Sequence, residues 1–231
     1  MCESKVLIVT PAYNEEDNLK IVINDIKQYA ENIDWLIVDD CSTDKTVKII
    51  RENNLKYISN ENNSGYYKTL QTGIKWAYEN GYDYVITFDA DGQHMAKEIY
   101  NILKNIIDNN SDLVIASRYF NKKIKLNMFQ KIGIILSQKV IRDTFNLEIT
   151  DATSGFRCMN RKIMKEILNF NEIKTLELSF LIYLLKCNYK ITEIPTEMNE
   201  RINGKSMFKG IWRRIKYTKL IIVETRKELK G

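Results

Sequence analysis

A single histidine, His94, stands in the chain, beside the carboxylates Asp89 and Asp91. That leaves no material for a Ser-His-Asp or Cys-His nucleophile. His94 itself reads better as a loop or supporting residue than as a metal ligand. The four cysteines, Cys2, Cys41, Cys158 and Cys187, are scattered with no CxxC spacing, the pattern of reduced thiols in a cytosolic protein. Neither GxGxxG nor GxxxxGK[ST] occurs, so the dinucleotide and P-loop readings lack their phosphate-cradling loops. No apolar run is long enough to span a membrane. The start, MCESKVLIVT, has no basic segment and no small-residue cleavage site, so no signal peptide is expected and a cytoplasmic location is. Without repeats, low-complexity tracts or a clear linker, the expectation is one domain with a C-terminal extension.

What is present is ordinary in bulk and uneven in place. Hydrophobic residues make up 44% and charged residues 28%, as in a soluble globular chain. Residues 201–231 hold ten Lys or Arg against Glu224 and Glu228, a segment charge of +8 in a chain of +5, which leaves residues 1–200 at −3. A basic end on a mildly acidic body points to an anionic partner such as a phosphate or a membrane surface, or to a solvated helix face. A nucleic-acid partner would rest on that tail alone and is not expected.

Short apolar runs alternate with helical periodicity. KVLIVT (Lys5 to Thr10), DWLIVDD (Asp34 to Asp40), Lys56 to Ser59, the run through Val85, Ile86 and Phe88, and DLVIAS (Asp112 to Ser117) read as strands. Between them, Leu19, Val22, Ile23 and Ile26 lie on one helix stripe, which Asn14 would cap. Ser42, Thr43 and Asp44 open a second helix, a third runs from about Tyr67 to Asn80, and a fourth from Ala96 to Asp108. Five strands alternating with helices imply a mostly parallel sheet with helices on both faces. Beyond Tyr119 the alternation stops: a long helix from Ile124 to Phe145, a loop from Ile149 to Arg157 running to a short strand, a helix from Leu176 to Cys187, and a strand, KITEIPTEM, whose proline points to an edge or a strand end. Arg201 to Ser206 forms a basic loop, and Lys209 to Lys230 a helix.

Three strands end in polar clusters: Pro11 to Glu15, Asp39 to Asp44, and Asp89 to Gln93. Ligands bind outside the carboxyl ends of such strands, so the clusters should converge on one cleft. Asp89 and Asp91, with Gly92 allowing a sharp turn, suit Mg2+ or Mn2+, which keeps waters and bridges to phosphates. Glu15, Asp39 and Asp40 can accept hydrogen bonds from a base or ribose. Arg157, Arg201 and Lys205 can bind anionic oxygens. Each has a plainer reading: Asp39 and Asp44 as helix-start residues, Asp151 as a turn residue, Arg118 and Arg157 as surface arginines.

Taken together, VTPAYNEEDNL (9–19), IVDDCSTDKT (37–46), FDADGQH (88–94), ASRY (116–119), TDATSGFR (150–157) and EIPTEMNERINGKS (193–206) resemble the inverting family-2 glycosyltransferases of the GT-A fold, and within them the dolichyl-phosphate mannose synthase-like branch. The resemblance implies an α/β fold with a Rossmann-like nucleotide half (1–120), an acceptor half (121–208) and a basic helical extension (209–231). It implies that Pro11, Ala12, Tyr13, Glu15, Asp40, Asp89 and Arg118 line the nucleotide-sugar site. Asp89, Asp91 and Gln93 would serve Mg2+ or Mn2+. Arg157, Arg201, Lys205 and Ser206 would face a polyprenyl phosphate or glycan acceptor, the last three from a closing loop that Asn203-Gly204 makes permissive. If the acceptor is a hydroxyl, Asp151 is the candidate base; if it is a lipid phosphate, the nucleophile is already an anion. The basic, Trp212-bearing C-terminal helix could rest on the cytoplasmic face of a membrane, or pack on the core or a partner. Two departures stand out: Cys41 where many relatives have Gly, and Tyr66-Tyr67-Lys68 in place of small residues after the Asn-x-Gly turn. A sugar-nucleotide pyrophosphorylase lacks its Gly-rich basic loop here. A non-catalytic nucleotide-sugar-binding or membrane-scaffold module is the alternative from another class.

Overall fold

A computed structural model describes residues 4–120, 128–169 and 178–199, with only the backbone for helix residues 128–133 and 136–137. The predicted basic loop, with Arg201, Lys205 and Ser206, and the C-terminal helix lie outside the described residues.

Seven strands form one sheet: β1 (Val6–Ala12), β2 (Asp34–Asp39), β3 (Lys56–Ser59), β4 (Tyr84–Thr87), β5 (Leu113–Ser117), β6 (Arg157–Asn160) and β7 (Ile191–Pro195). Their order is β3-β2-β1-β4-β6-β5-β7. All neighbours run parallel except β6, which lies antiparallel between β4 and β5. The helices are α1 (Leu19–Tyr29), α2 (Thr46–Glu52), α3 (Tyr66–Glu79), α4 (Ile99–Asp108), α5 (Met128–Phe145), α6 (Arg161–Asn169) and α7 (Leu178–Lys186).

Side chains alternate across the sheet, and both faces are buried. Leu7, Val9, Leu36, Val38, Val85 and Leu113 pack with residues of α3, α6 and α7. Ile8, Ile86, Val114 and Cys158 pack with Val22 and Ile26 of α1 and with Ile99, Ile102 and Ile106 of α4. Gly73 lets α3 lie directly on β1, because a Cβ there would collide with Val9. This fixes where the first turn of α3, beginning at Tyr66, meets the carboxyl ends of the strands.

Three local expectations change and one holds. Pro11 does not close β1, which continues to Ala12 in register with Asp39. The β4 ladder on the other side stops at Val9, so the missing donor of Pro11 breaks no bond there. Asn14 caps no helix. It sits at φ 54, and its Oδ1 accepts from the Thr43 amide at 2.8 Å, which ties the β1 exit to the β2 exit while α1 starts at Leu19. Helix α6 was not foreseen, although Ile163, Met164 and Ile167 form its buried stripe. β7 is an edge strand, as its proline indicated.

Candidate active site

The β1 and β2 exits are laced together. The Asn14 amide donates to Ser42 Oγ at 3.0 Å, the Glu15 amide to Thr46 Oγ1 at 2.8 Å, and the Glu16 amide to Asp44 at 3.1 Å. Pro11 and Ala12 are buried, Glu15 is half-buried, and Tyr13 stands 46% exposed. The Glu15 carboxylate accepts from Asn18 Nδ2 at 2.8 Å.

Asp40 is buried and organises the next turn. Its carboxylate accepts from Asn60 Nδ2, the Ser64 amide and the Gly65 amide, all at 2.8 Å. Burial by itself would raise this carboxyl, but the hydrogen bonds from Asn60, Ser64, Gly65 and Thr69 outweigh it and hold it below its ordinary 3.8. A depressed acid stabilises the fold above its unfolded value, and that contribution is lost as pH falls through the folded one. Denaturation midpoints are therefore expected to fall as pH drops below about 3.8, and Asp40→Asn should flatten that part of the profile.

Cys41 follows at φ 64. A left-handed backbone costs a side-chain-bearing residue about 1–2 kcal/mol, so glycine would suit this position better. Cys41→Gly recovers that cost less the ~0.5–1 kcal/mol of added chain entropy in the unfolded state. A net gain of about 0.5 kcal/mol in urea denaturation is expected.

The β4 exit carries the carboxylate pair. Gly92 turns the chain at φ 76, and Asp91 Oδ1 accepts the Gln93 amide at 3.0 Å. His94 is buried between Phe88 and Phe156, stacked on the latter at 4.9 Å. Its Nδ1 accepts the Asp89 amide at 2.9 Å, and burial pushes the imidazole down to about 4, so it is neutral and carries its proton on Nε2. It supports the loop and has no free Nδ1 for a metal.

Among the described residues no three His, Cys, Asp or Glu side chains cluster as a metal cage. Asp89, Asp91 and Gln93 offer only oxygen donors, two carboxylates and one amide. That suits Mg2+ or Mn2+ and not a soft or fully caged metal.

Facing this loop, Asp151 is buried and gripped by Arg118. Nε donates to Oδ2 at 2.7 Å and Nη2 to Oδ1 at 2.8 Å. The Asp151 side chain is 0% exposed, that of Arg118 30%. Burial opposes the Arg118 charge, but the Asp151 hydrogen bonds and charge outweigh it and raise the guanidinium above its ordinary value. Glu193, on β7, holds the backbone of this loop: it accepts from the Thr150 amide at 2.7 Å and the Asp151 amide at 2.7 Å. Burial pushes the Glu193 carboxyl up in spite of those bonds. Arg157 is buried, donating to the Ser154 carbonyl at 2.8 Å and the Ala152 carbonyl at 2.7 Å, so at least two of its donors shape the loop. Asn199 closes the arrangement, its amide donating to the Gln93 carbonyl at 2.8 Å.

The structure thus gathers Pro11, Ala12, Tyr13, Glu15 and Asp40 at the β1 and β2 exits, Asp89, Asp91 and Gln93 at the β4 exit, and Arg118, Asp151 and Arg157 across β5 and β6. Residues 7–168 match the family model described as Glycosyl transferase family 2. The chain belongs to glycosyl transferase family 2. This glycosyltransferase is 33% identical over 218 residues to the UDP-N-acetylglucosamine–dolichyl-phosphate N-acetylglucosaminyltransferase of Methanococcus voltae, covering 84% of this chain and 86% of that one. It is 25% identical to the polyprenol monophosphomannose synthase of Mycolicibacterium smegmatis, over 89% of this chain and 82% of the other. Among solved structures it is similar to a Pyrobaculum calidifontis mannosyltransferase in complex with GDP-Man and Mn2+, at a TM-score of 0.70 and 16% identity, covering 100% of this chain and 66% of that chain. It also resembles glucosyl-3-phosphoglycerate synthase of Mycobacterium tuberculosis with Mn2+ and UDP, at a TM-score of 0.67 and 14% identity, covering 97% and 80%. The GT-A fold expected from the sequence is the fold observed.

Sequence reasoning gave no role to Glu193 or Gly155, and left Tyr66 as an unexplained departure. Glu193 opens a quoted motif, and an acidic residue between Ile191 and Ile194 in a strand was the available signal.

Proposed function

We propose that this glycosyltransferase moves a sugar, with inversion, from a UDP- or GDP-sugar to a polyprenyl or dolichyl phosphate. The Arg118–Asp151 pair carries this reading. An acceptor hydroxyl needs a base, and Asp151 was its candidate. Both Asp151 oxygens accept from the Arg118 guanidinium, and also from the Arg118 amide and the Thr153 hydroxyl, so an acceptor hydroxyl would have to displace one of these donors to reach the carboxylate. A phosphate acceptor arrives as an anion and needs a cation instead, and Arg118, held in place and partly exposed, offers one. The names of the two curated relatives, which specify dolichyl phosphate and polyprenol, support the same acceptor class.

In this reading Pro11, Ala12, Tyr13 and Glu15 line the nucleotide, and Asp40 acts by holding the turn around Ser64 and Gly65. Asp89, Asp91 and Gln93 would hold Mg2+ or Mn2+, which when bound supplies charge that offsets the departing diphosphate. Arg118 and Arg157 serve the phosphate side, with Arg201, Lys205 and Ser206 joining from the basic loop. Residues 1–208 would then be the catalytic domain. The basic residues 209–231 would rest on the cytoplasmic face of an anionic membrane, where the acceptor resides; among the described residues no helix is long and apolar enough to cross it.

The test is incubation of purified protein with Mn2+ or Mg2+, polyprenyl phosphate and a panel of labelled UDP- and GDP-sugars. Metal-dependent movement of label into the organic phase is expected. Donor breakdown without labelled lipid would point to a glycan hydroxyl, with Asp151 released from Arg118 to act as base.

A further inference from the structure

Tyr66 is the first residue of α3 and half-buried, yet its hydroxyl reaches across to the β4 exit and donates to Asp89 Oδ1 at 2.7 Å. The third party to this contact is Gly155, in the loop before β6. A Cβ on Gly155 would lie 2.9 Å from Asp89 Oδ2 and 3.0 Å from the Tyr66 hydroxyl. Gly155 is itself pinned, because its carbonyl accepts from Thr87 Oγ1 at the end of β4. Two other stretches of chain, the start of α3 and the entry to β6, therefore converge on the carboxylate at the β4 exit.

The chemistry of the contact is one-way. The phenol O–H donates and the carboxylate oxygen accepts. The Tyr66 ring is braced edge-on by Tyr67 at 5.3 Å. A carboxylate held this way has lost its rotational freedom on folding, so ordering it costs nothing more when a ligand arrives. Side chains that hydrogen-bond a ligating carboxylate fix its orientation, and their removal commonly weakens metal affinity or activity 10–100-fold.

We propose that Tyr66 is a positioning residue for the donor site: its phenol, with Gly155 closing the other side, locks the Asp89 carboxylate in the orientation used to bind the cation of the nucleotide sugar. This rests on the reading of Asp89 and Asp91 as the cation-binding pair. It gives a physical role to the tyrosine that departs from the small residues usual at this turn. The same contact joins the donor loop to the loop that carries Asp151, Ser154 and Arg157, so disturbance of either loop should reach the other.

The experiment measures Mn2+ binding directly, by the loss of the free-ion electron paramagnetic resonance signal, with Mn2+ alone and with Mn2+ plus UDP or GDP. The wild type is compared with Tyr66→Phe, Gly155→Ala and Asp89→Asn, and thermal melting is recorded for each. Tyr66→Phe keeps the ring and removes only the donor. It is expected to weaken Mn2+ binding about tenfold or more, to raise the half-saturating Mn2+ and donor KM more than it lowers kcat, and to melt with the wild type. Gly155→Ala leaves the phenol in place but pushes on both partners, and should show the same metal defect. If Asp89→Asn abolishes binding while Tyr66→Phe binds Mn2+ as the wild type does, the positioning role is overturned and the cation pair stands. If Asp89→Asn also binds as the wild type, the cation-pair reading falls and takes the role of Tyr66 with it.

Discussion

Asp91→Asn is expected to cut sugar transfer about 10²–10⁴-fold while leaving the melting temperature within about 2 °C of the wild type. Asp91 is 7% exposed, and the bond it accepts from the Gln93 amide at 3.0 Å needs only an oxygen. Asparagine keeps that oxygen, so the loop and its turn at Gly92 should survive. What disappears is one negative charge from the pair proposed to hold a cation against the diphosphate. That interaction contributes several kcal/mol to a transition state in which charge builds on the leaving group, and each 1.36 kcal/mol is a factor of ten in rate. Initial rates at saturating donor and Mn2+ check the first half, and thermal melting the second. Transfer within tenfold of the wild type would mean that Asp91 does not hold the cation.

Arg118→Ala should lose both stability and activity, for separable reasons. The Asp151 side chain is 0% exposed and its strongest partner is the guanidinium. Removing that partner strands a buried charge with the Arg118 amide at 3.2 Å and the Thr153 hydroxyl at 3.1 Å. Stranding one member of a buried pair costs about 3–5 kcal/mol, and because Arg118 is 30% exposed the lower figure applies. For a chain of this size the melting temperature should fall by on the order of 10 °C. Replacing the pair together, Arg118→Met with Asp151→Leu, removes the stranded charge and should recover most of that stability, since apolar substitutes for buried pairs are often neutral. Transfer to lipid phosphate should stay strongly reduced in the double variant, because the Arg118 cation proposed to face the acceptor is gone and only the other basic residues of that side remain. Recovery of both would make the pair purely structural and remove the main support for a phosphate acceptor.

Much of this protein was determined by the sequence alone, because the signals were periodic or local. Both faces of the sheet are covered, so the β1, β2, β4 and β5 strands read as continuous apolar runs that need no tertiary information to find. The Asp89-Ala90-Asp91-Gly92 turn announced itself by composition, and the order of the quoted motifs along the chain pointed to family 2. The sequence could not say which carboxylates face a ligand and which are already committed to the protein. Asp40 and Asp151 look like Asp91 when written as letters. Only the tertiary structure shows Asp40 holding the turn around Ser64 and Gly65, and Asp151 clasped by the arginine that follows β5. The antiparallel insertion of β6 between β4 and β5 was likewise decided by long-range pairing, which leaves no local trace in four residues. That insertion puts Gly155 against Asp89, and α3 resting on β1 puts Tyr66 there as well. The physical reason is common to all three: a hydrogen-bond partner far away in the chain changes what a side chain is free to do, without changing the pattern in which it occurs.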